Sequence, residues 1–297
     1  MADHALRLWQ SMPWCDAAGR FSFPKLVVFV GCCLPGLWMG REFASGNWDF
    51  PSPYVNLIYH SGLWATYLLL ACLAVTPLRR ITGIGRLAQL RRLLGVASFC
   101  YCVLHVIAWF GLRFWDWAAL GSELAGRLSL WIATLSMIVL LALALTSFDG
   151  VIRSMGQRWK KLHTLVYAAA FLAVLHFLLS PGSLQGVPFL MAGAYVWLMG
   201  WRLLEQRRLG NDPKALAGLG LASALFALLL QPLWLVSVQA GRTGQDVWAA
   251  LADNLNLDLW IYLGVPPVAM LLAWMAATVT IAALVRRKTL PKAISRS

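Results

Sequence analysis

Five histidines stand in this chain of 297 residues, and four of them, His60, His105, His163 and His176, fall inside long apolar stretches. An ionisable ring is costly in an apolar span, so each is a candidate functional residue. Their depths sharpen the choice. Counted from Leu93, where the third apolar stretch begins, His105 lies roughly 18 Å along a helix; counted from Leu162, where the fifth begins, His176 lies roughly 21 Å along. Two imidazoles on separate helices at one depth can offer a nitrogen to each axial position of a haem iron. The same match suits two histidines that each hydrogen-bond a neighbouring helix, and spacing alone does not separate these readings. His163 sits at the boundary of the fifth stretch beside Trp159, Lys160 and Lys161. It is either a headgroup-level residue or part of a second cofactor site. An ideal helix sets it roughly 20 Å from His176 and about 140° around the axis, so a cofactor at each requires a distorted helix or approach from two sides. His60 reads as an interface residue, and His4 lies in the N-terminal tail.

The elements that must position these rings are membrane spans. Hydrophobic residues make up 60% of the chain and charged residues 12%, with a mean hydropathy of +0.68. A soluble domain carries about 25% charged residues. Apolar blocks at Leu26–Gly40, Tyr54–Val75, Leu93–Leu112, Leu128–Ser147, Leu162–Ser180, Val187–Leu204, Ala215–Val238 and Leu257–Val285 match the roughly 20 residues that a helix needs to cross a bilayer. None alternates as a barrel strand does, and helices satisfy their own backbone in lipid. The expected fold class is therefore an all-α integral membrane bundle of about eight transmembrane helices. No cleavable signal peptide is expected in residues 1–24.

The net charge of +13 reports topology and not nucleic-acid binding. With the N-terminus inside, the inner segments (1–25, 76–92, 148–161, 202–214 and 286–297) hold all Lys and Arg except Arg41, Arg113, Arg127 and Arg242. That is the positive-inside pattern, and it places both termini in the cytoplasm. The six cysteines include no Cys-x-x-Cys pair, which excludes a zinc knuckle of that type and covalent c-type haem attachment. Trp38, Trp48, Trp109, Trp115, Trp117 and Trp159 read as aromatic belts at span ends.

Several motifs carry a resemblance. His60-Ser-Gly-Leu-Trp-Ala, Ala74-Val-Thr-Pro-Leu-Arg-Arg80, Leu90-Arg-Arg-Leu-Leu-Gly95 and Leu104-His105 resemble the MsrQ/YedZ family. So do Leu143-Ala-Leu-Thr-Ser147, Gly156-Gln-Arg-Trp-Lys-Lys-Leu-His-Thr-Leu-Val-Tyr167 and Ala173-Val-Leu-His-Phe177, the whole running from about Gly31 to Arg208. That family is the haem-binding membrane subunit of a periplasmic methionine sulfoxide reductase system, within a ferric-reductase-like transmembrane superfamily. The resemblance implies a cytoplasmic N-terminal segment (1–24), a haem-binding domain of six spans (25–208) and a C-terminal extension of two further helices (209–297). It implies that His105 and His176 ligate a b-type haem near the periplasm. His163 would ligate a second haem or lie near flavin mononucleotide on the cytoplasmic side. It also implies a periplasmic molybdopterin reductase as acceptor, a cytoplasmic flavin reductase or membrane quinol as donor, and residence in the bacterial inner membrane.

The residues qualify this picture on the inner side. The position on the third span that would pair with His163 is Arg92, which is no ordinary axial ligand. Arg79, Arg80, Arg91 and Arg92 suit a flavin phosphate, because guanidinium forks match phosphate oxygens. Cytoplasmic helix ends are also basic for topological reasons alone. No Gly-x-Gly-x-x-Gly follows a strand, so electrons must come from a separate donor. The two extra C-terminal helices depart from compact family members and leave room for another acceptor. The competing expectations are therefore a ferric reductase or a donor to another periplasmic enzyme, and, in another class, a non-redox scaffold or transporter with structural histidines.

Overall fold

The computed structural model describes residues 12–15, 19–48, 51–180, 187–239 and 267–289. Its helices are α1 (Phe23–Ser45), α2 (Pro53–Thr82), α3 (Leu90–Leu112), α4 (Trp117–Gly126), α5 (Leu128–Leu145), α6 (Asp149–Met155), α7 (Gln157–His163), α8 (Val166–Leu178), α9 (Val187–Gln206), α10 (Pro213–Gln239) and α11 (Pro267–Thr289), with a short 3-10 turn at Gly85–Gln89. Among the described residues there is no sheet, only one isolated antiparallel bridge between Cys15 and Phe21. Among the described residues, seven segments are long and apolar enough to cross a membrane: Phe23–Ser45, Pro53–Thr82, Gly85–Leu112, Leu128–Leu145, Gln157–Leu178, Val187–Gln206 and Pro213–Trp234. The eighth expected span begins outside the described residues, and α11 carries its remainder, with Met270–Val285 as its apolar stretch.

The chain divides into two compact units. The first comprises Met1–Val75 and Arg86–Ala173. Here Cys32 and Met39 of α1, Ala65 and Leu68 of α2, and Tyr101 of α3 form a buried core. Ser98 of α3 donates to the Ala65 carbonyl of α2 at 2.7 Å, and Ser136 of α5 donates to the Ala169 carbonyl of α8 at 3.0 Å. Short hydroxyl side chains thus tie neighbouring helices where hydrocarbon supplies no hydrophobic drive between them. Trp131, Leu135, Ile138, Leu141 and Leu145 of α5 are exposed along one helical stripe, a surface suited to lipid.

Three features of this unit go beyond the sequence expectation. α1 continues through Pro35, where the Tyr101 hydroxyl accepts from the Gly36 N–H at 2.7 Å and donates to the Cys32 carbonyl at 2.6 Å. The hydroxyl therefore bridges the rung of the ladder that Gly36 and Cys32 would otherwise close together. The segment after α3, expected as a loop, contains α4. Asp116 caps it by accepting from the Ala118 and Ala119 N–H groups at 3.0 and 3.2 Å, a preferred N-cap chemistry. Arg113 grips Glu123 with two bonds of 2.7 Å, and Arg127 adds a contact of 2.6 Å. The Arg113 hydrogen bonds, with the charge of Arg127 beside them, hold the Glu123 carboxyl below the usual carboxylate range.

The second unit comprises Thr76–Gly85 and Val174–Ser297. Its core is α9 packed with α10 and α11. Phe189, Met191, Trp197 and Trp201 of α9 are fully buried. A Cβ at Gly193 would stand 2.4 Å from Leu271 and 3.1 Å from Ala227, and one at Gly220 would stand 2.2 Å from Met275. Glycine at these contacts lets the helices approach closely, as in membrane interfaces generally. Trp201 donates to the Gly210 carbonyl at 2.9 Å, and Asp212 caps α10 through the Ala215 N–H at 3.1 Å. Arg80, in the last turn of α2, pairs with Glu205 at 3.5 Å. α2 has 30 residues and continues past Pro77. At about 45 Å it exceeds the roughly 30 Å hydrocarbon core, so its arginine-bearing end projects beyond that core.

Candidate functional site

His105 lies on α3 and faces α2. Its Nδ1 is 2.8 Å from the carbonyl oxygen of Ile58. A carbonyl only accepts, so Nδ1 carries the proton and Nε2 the lone pair. This is the arrangement in which a metal-ligating histidine is usually held, with the backbone fixing tautomer and ring orientation. The ring also rests on Gly62, where a Cβ would stand 2.9 Å from Nδ1 and 3.0 Å from Cε1.

His176 lies near the end of α8, in the second unit. Ser180 donates to its backbone carbonyl at 2.7 Å, and the Ser180 oxygen lies 3.4 Å from Nε2. That second contact is near the limit of a hydrogen bond and restrains the ring weakly.

His163 closes α7. Its Nε2 is 3.1 Å from the Thr146 oxygen, whose own proton is directed to the Ala142 carbonyl at 2.8 Å. The imidazole is therefore the donor, and the lone pair is on Nδ1, opposite to His105. Trp159 stacks on the ring with centroids 4.1 Å apart and donates to the Thr146 carbonyl at 2.9 Å. The helix is broken between His163 and His176, at the junction of α7 and α8. Thr164, Leu165 and Tyr167 bond the carbonyls of Lys161, Leu162 and Thr164, three residues back. That 3-10 pattern adds about 20° of rotation per residue over an α-helix.

The four candidate arginines do not share one environment. Arg92 pairs with Asp149, and Arg80 pairs with Glu205. The Arg79 Nε is buried with no hydrogen-bond partner among the described residues. Cys72 donates to the Arg91 carbonyl at 3.2 Å. Arg79 and Arg80 belong to the second unit, Arg91 and Arg92 to the first. His60, outside the candidate set, is enclosed by aromatic rings, stacked on Trp48 and edge-on to Trp38. Among the described residues no group of three His, Cys, Asp or Glu side chains could hold a metal ion. Ligation by one histidine from each side of a planar cofactor needs no such cluster.

Sequence reasoning missed Ile58, Gly62 and Thr146. Nothing in the sequence marks which carbonyl or glycine an imidazole will meet on another helix. Trp159 and His163, four residues apart on a helix, do carry a signal, because that spacing brings side chains together.

Residues 61–174 match the family model described as Ferric reductase like transmembrane component. A protein of Rhodospirillum rubrum, named Protein-methionine-sulfoxide reductase heme-binding subunit MsrQ, is 35% identical over 194 residues, covering 64% of this chain and 93% of that protein. The chain belongs to the MsrQ family. An MsrQ of Cronobacter sakazakii is 35% identical over 193 residues, covering 64% of this chain and 96% of its own length. Magnetosome protein MamZ of Paramagnetospirillum magneticum is 33% identical over 226 residues, 72% of this chain and 33% of that longer protein. The chain extends well past the length it shares with the two MsrQ proteins. No solved structure matches it.

Proposed function

We propose that this chain is the haem-b-binding membrane subunit of a methionine sulfoxide reductase system, carrying electrons across the bacterial inner membrane to a periplasmic molybdopterin reductase. The observation that carries the reading is His105, whose Nδ1 is tied to the Ile58 carbonyl so that Nε2 is the nitrogen with the lone pair. His105 and His176, at similar depth along their helices, would hold one haem. The bound haem supplies one-electron redox chemistry, while the chain supplies ligation, orientation and insulation from water. Residues 25–208 form the haem-carrying bundle, and 209–297 add two helices. The charge distribution puts both termini in the cytoplasm.

The inner site is unlike the outer one. His163 presents Nδ1, stacked against Trp159, and belongs to a second haem or to flavin mononucleotide. Arg79, Arg80, Arg91 and Arg92 are the phosphate-binding candidates. Arg79 is the most available of the four by its unpartnered Nε, since Arg80 and Arg92 already meet carboxylates. The donor is a cytoplasmic flavin reductase or membrane quinol. A second reading, delivery to another periplasmic acceptor, is favoured by the added helices α10 and α11.

The test is the visible spectrum of purified protein with haem and flavin quantified per chain. Low-spin b-haem absorption is expected, lost or halved in His105→Ala and in His176→Ala. Full absorption in both variants removes the ligand assignment, and a colourless preparation removes the redox reading. Reduction of a purified methionine sulfoxide reductase, compared with reduction of a ferric chelate, separates the two acceptors.

A further inference from the structure

We propose that Gly62 and the Ile58 carbonyl form a built seat that orients His105, making Gly62 a positioning residue for the electron-transfer site; this rests on the reading of His105 as a haem ligand. Within α2 the Ile58 carbonyl is the ladder partner of the Gly62 N–H. Every Cβ on a helix leans toward the N-terminus, so a side chain at position 62 would overhang that carbonyl. Glycine removes the overhang, and the His105 ring occupies the space, with Nδ1 2.8 Å from the Ile58 oxygen. A Cβ restored there would meet Nδ1 at 2.9 Å and Cε1 at 3.0 Å, closer than the ring tolerates without moving. The one proton of the neighbouring Ser61 hydroxyl goes to the Leu57 carbonyl, with the Ile58 oxygen farther off at 3.2 Å, so the Ile58 oxygen is left to the Gly62 N–H and His105. Ser61 is fully buried, so this pair of donors on Ile58 is shielded from water.

The seat has a redox consequence. A hydrogen bond from Nδ1–H to a carbonyl raises the basicity of the imidazole and strengthens it as a ligand. Stronger donation favours the ferric state and lowers the midpoint potential. Gly62→Ala pushes the ring off Ile58, so the His105-bound haem is lost or its potential moves positive. Ser61→Ala removes a hydroxyl that serves Leu57, so the potential stays at the parent value. Gly31 of α1, where a Cβ meets nothing within 4 Å, is the control for glycine loss in a span.

The experiment is spectroscopic redox titration of the full-length purified protein and these three variants, beside His105→Ala. The expected result is haem loss or a positive shift in Gly62→Ala and parent values in Ser61→Ala and Gly31→Ala. A folded Gly62→Ala protein with the parent's haem content and potential overturns the proposal. If Gly62→Ala does not fold, the double variant with His105→Ala decides: restored folding places the clash on the ring as proposed, and no restoration overturns it. His105→Ala retaining full haem defeats the ligand reading itself. His105→Ala losing haem while Gly62→Ala matches the parent defeats only the seat.

Discussion

His163 and His176 each touch a hydroxyl, but the two contacts differ in consequence. Thr146 accepts from His163 at 3.1 Å while donating to Ala142, and Trp159 clamps both partners. Thr146→Val keeps the shape and removes the acceptor, leaving an imidazole N–H unpaired. Losing a partner inside a protein costs about 1–3 kcal/mol, against about 0.5–1.5 kcal/mol net for an ordinary bond. The expected outcome is a lower thermal unfolding midpoint and weaker retention of whatever cofactor His163 serves, with Thr146→Ser close to the parent. Haem and flavin per chain, measured with unfolding on the same samples, check it. Ser180 meets His176 Nε2 at 3.4 Å, too long to hold the ring firmly. Ser180→Ala therefore leaves haem content within error of the parent. A marked loss there would mean that the serine sets the ring.

Two elements depend on single polar groups. In α1 the Tyr101 hydroxyl bridges Gly36 and Cys32 beside Pro35. Tyr101→Phe deprives a half-buried N–H and a buried carbonyl of their partner, a loss on the order of 1–3 kcal/mol, and lowers the denaturant midpoint in mixed micelles. In α4 the acid response has a definite sign. The folded carboxyl of Glu123 lies below its unfolded range, through Arg113's hydrogen bonds first and Arg127's charge second. Its contribution is therefore present at neutral pH and disappears as pH falls through the depressed value. Amide exchange over α4, corrected for intrinsic rates, should quicken on acidification in the parent and show no such step in Glu123→Gln. The cap at Asp116 and the Arg113–Glu123 spacing were readable in sequence only once a helix was expected there. Trp117–Gly126 is too short to cross a bilayer, so a search for spans passes over it. A break between α7 and α8 was legible only as one of two alternatives, the other being cofactors that approach from two sides. Its place at Thr164–Leu165 was not, because no Gly or Pro marks it.

At the scale of the whole molecule, the spans were the most legible feature, because a helix in lipid must be long and apolar, and few other segments are. The end of α2 was less legible: Pro77, Arg79 and Arg80 look like a terminator, yet the helix continues to Thr82 where lipid no longer selects composition. The histidine partners were illegible, since they depend on which helix faces which. Orientation follows from charge placement and carries its own prediction. Single cysteines introduced at Ser122, in α4, and at Ser154, in α6, are both exposed. They lie in segments separated by the single span Leu128–Leu145, so they must face opposite sides of the membrane. With arginine and lysine in excess around α6 and α7, Ser154 is expected on the cytoplasmic side. Native Cys33 and Cys100 are exposed on span helices, so their replacement by alanine precedes the labelling. A membrane-impermeant maleimide added to intact spheroplasts should then label Ser122→Cys and spare Ser154→Cys until the membrane is opened. The reverse pattern would invert the chain and place His105 nearer the cytoplasm, leaving the proposed exit to a periplasmic acceptor on the wrong side.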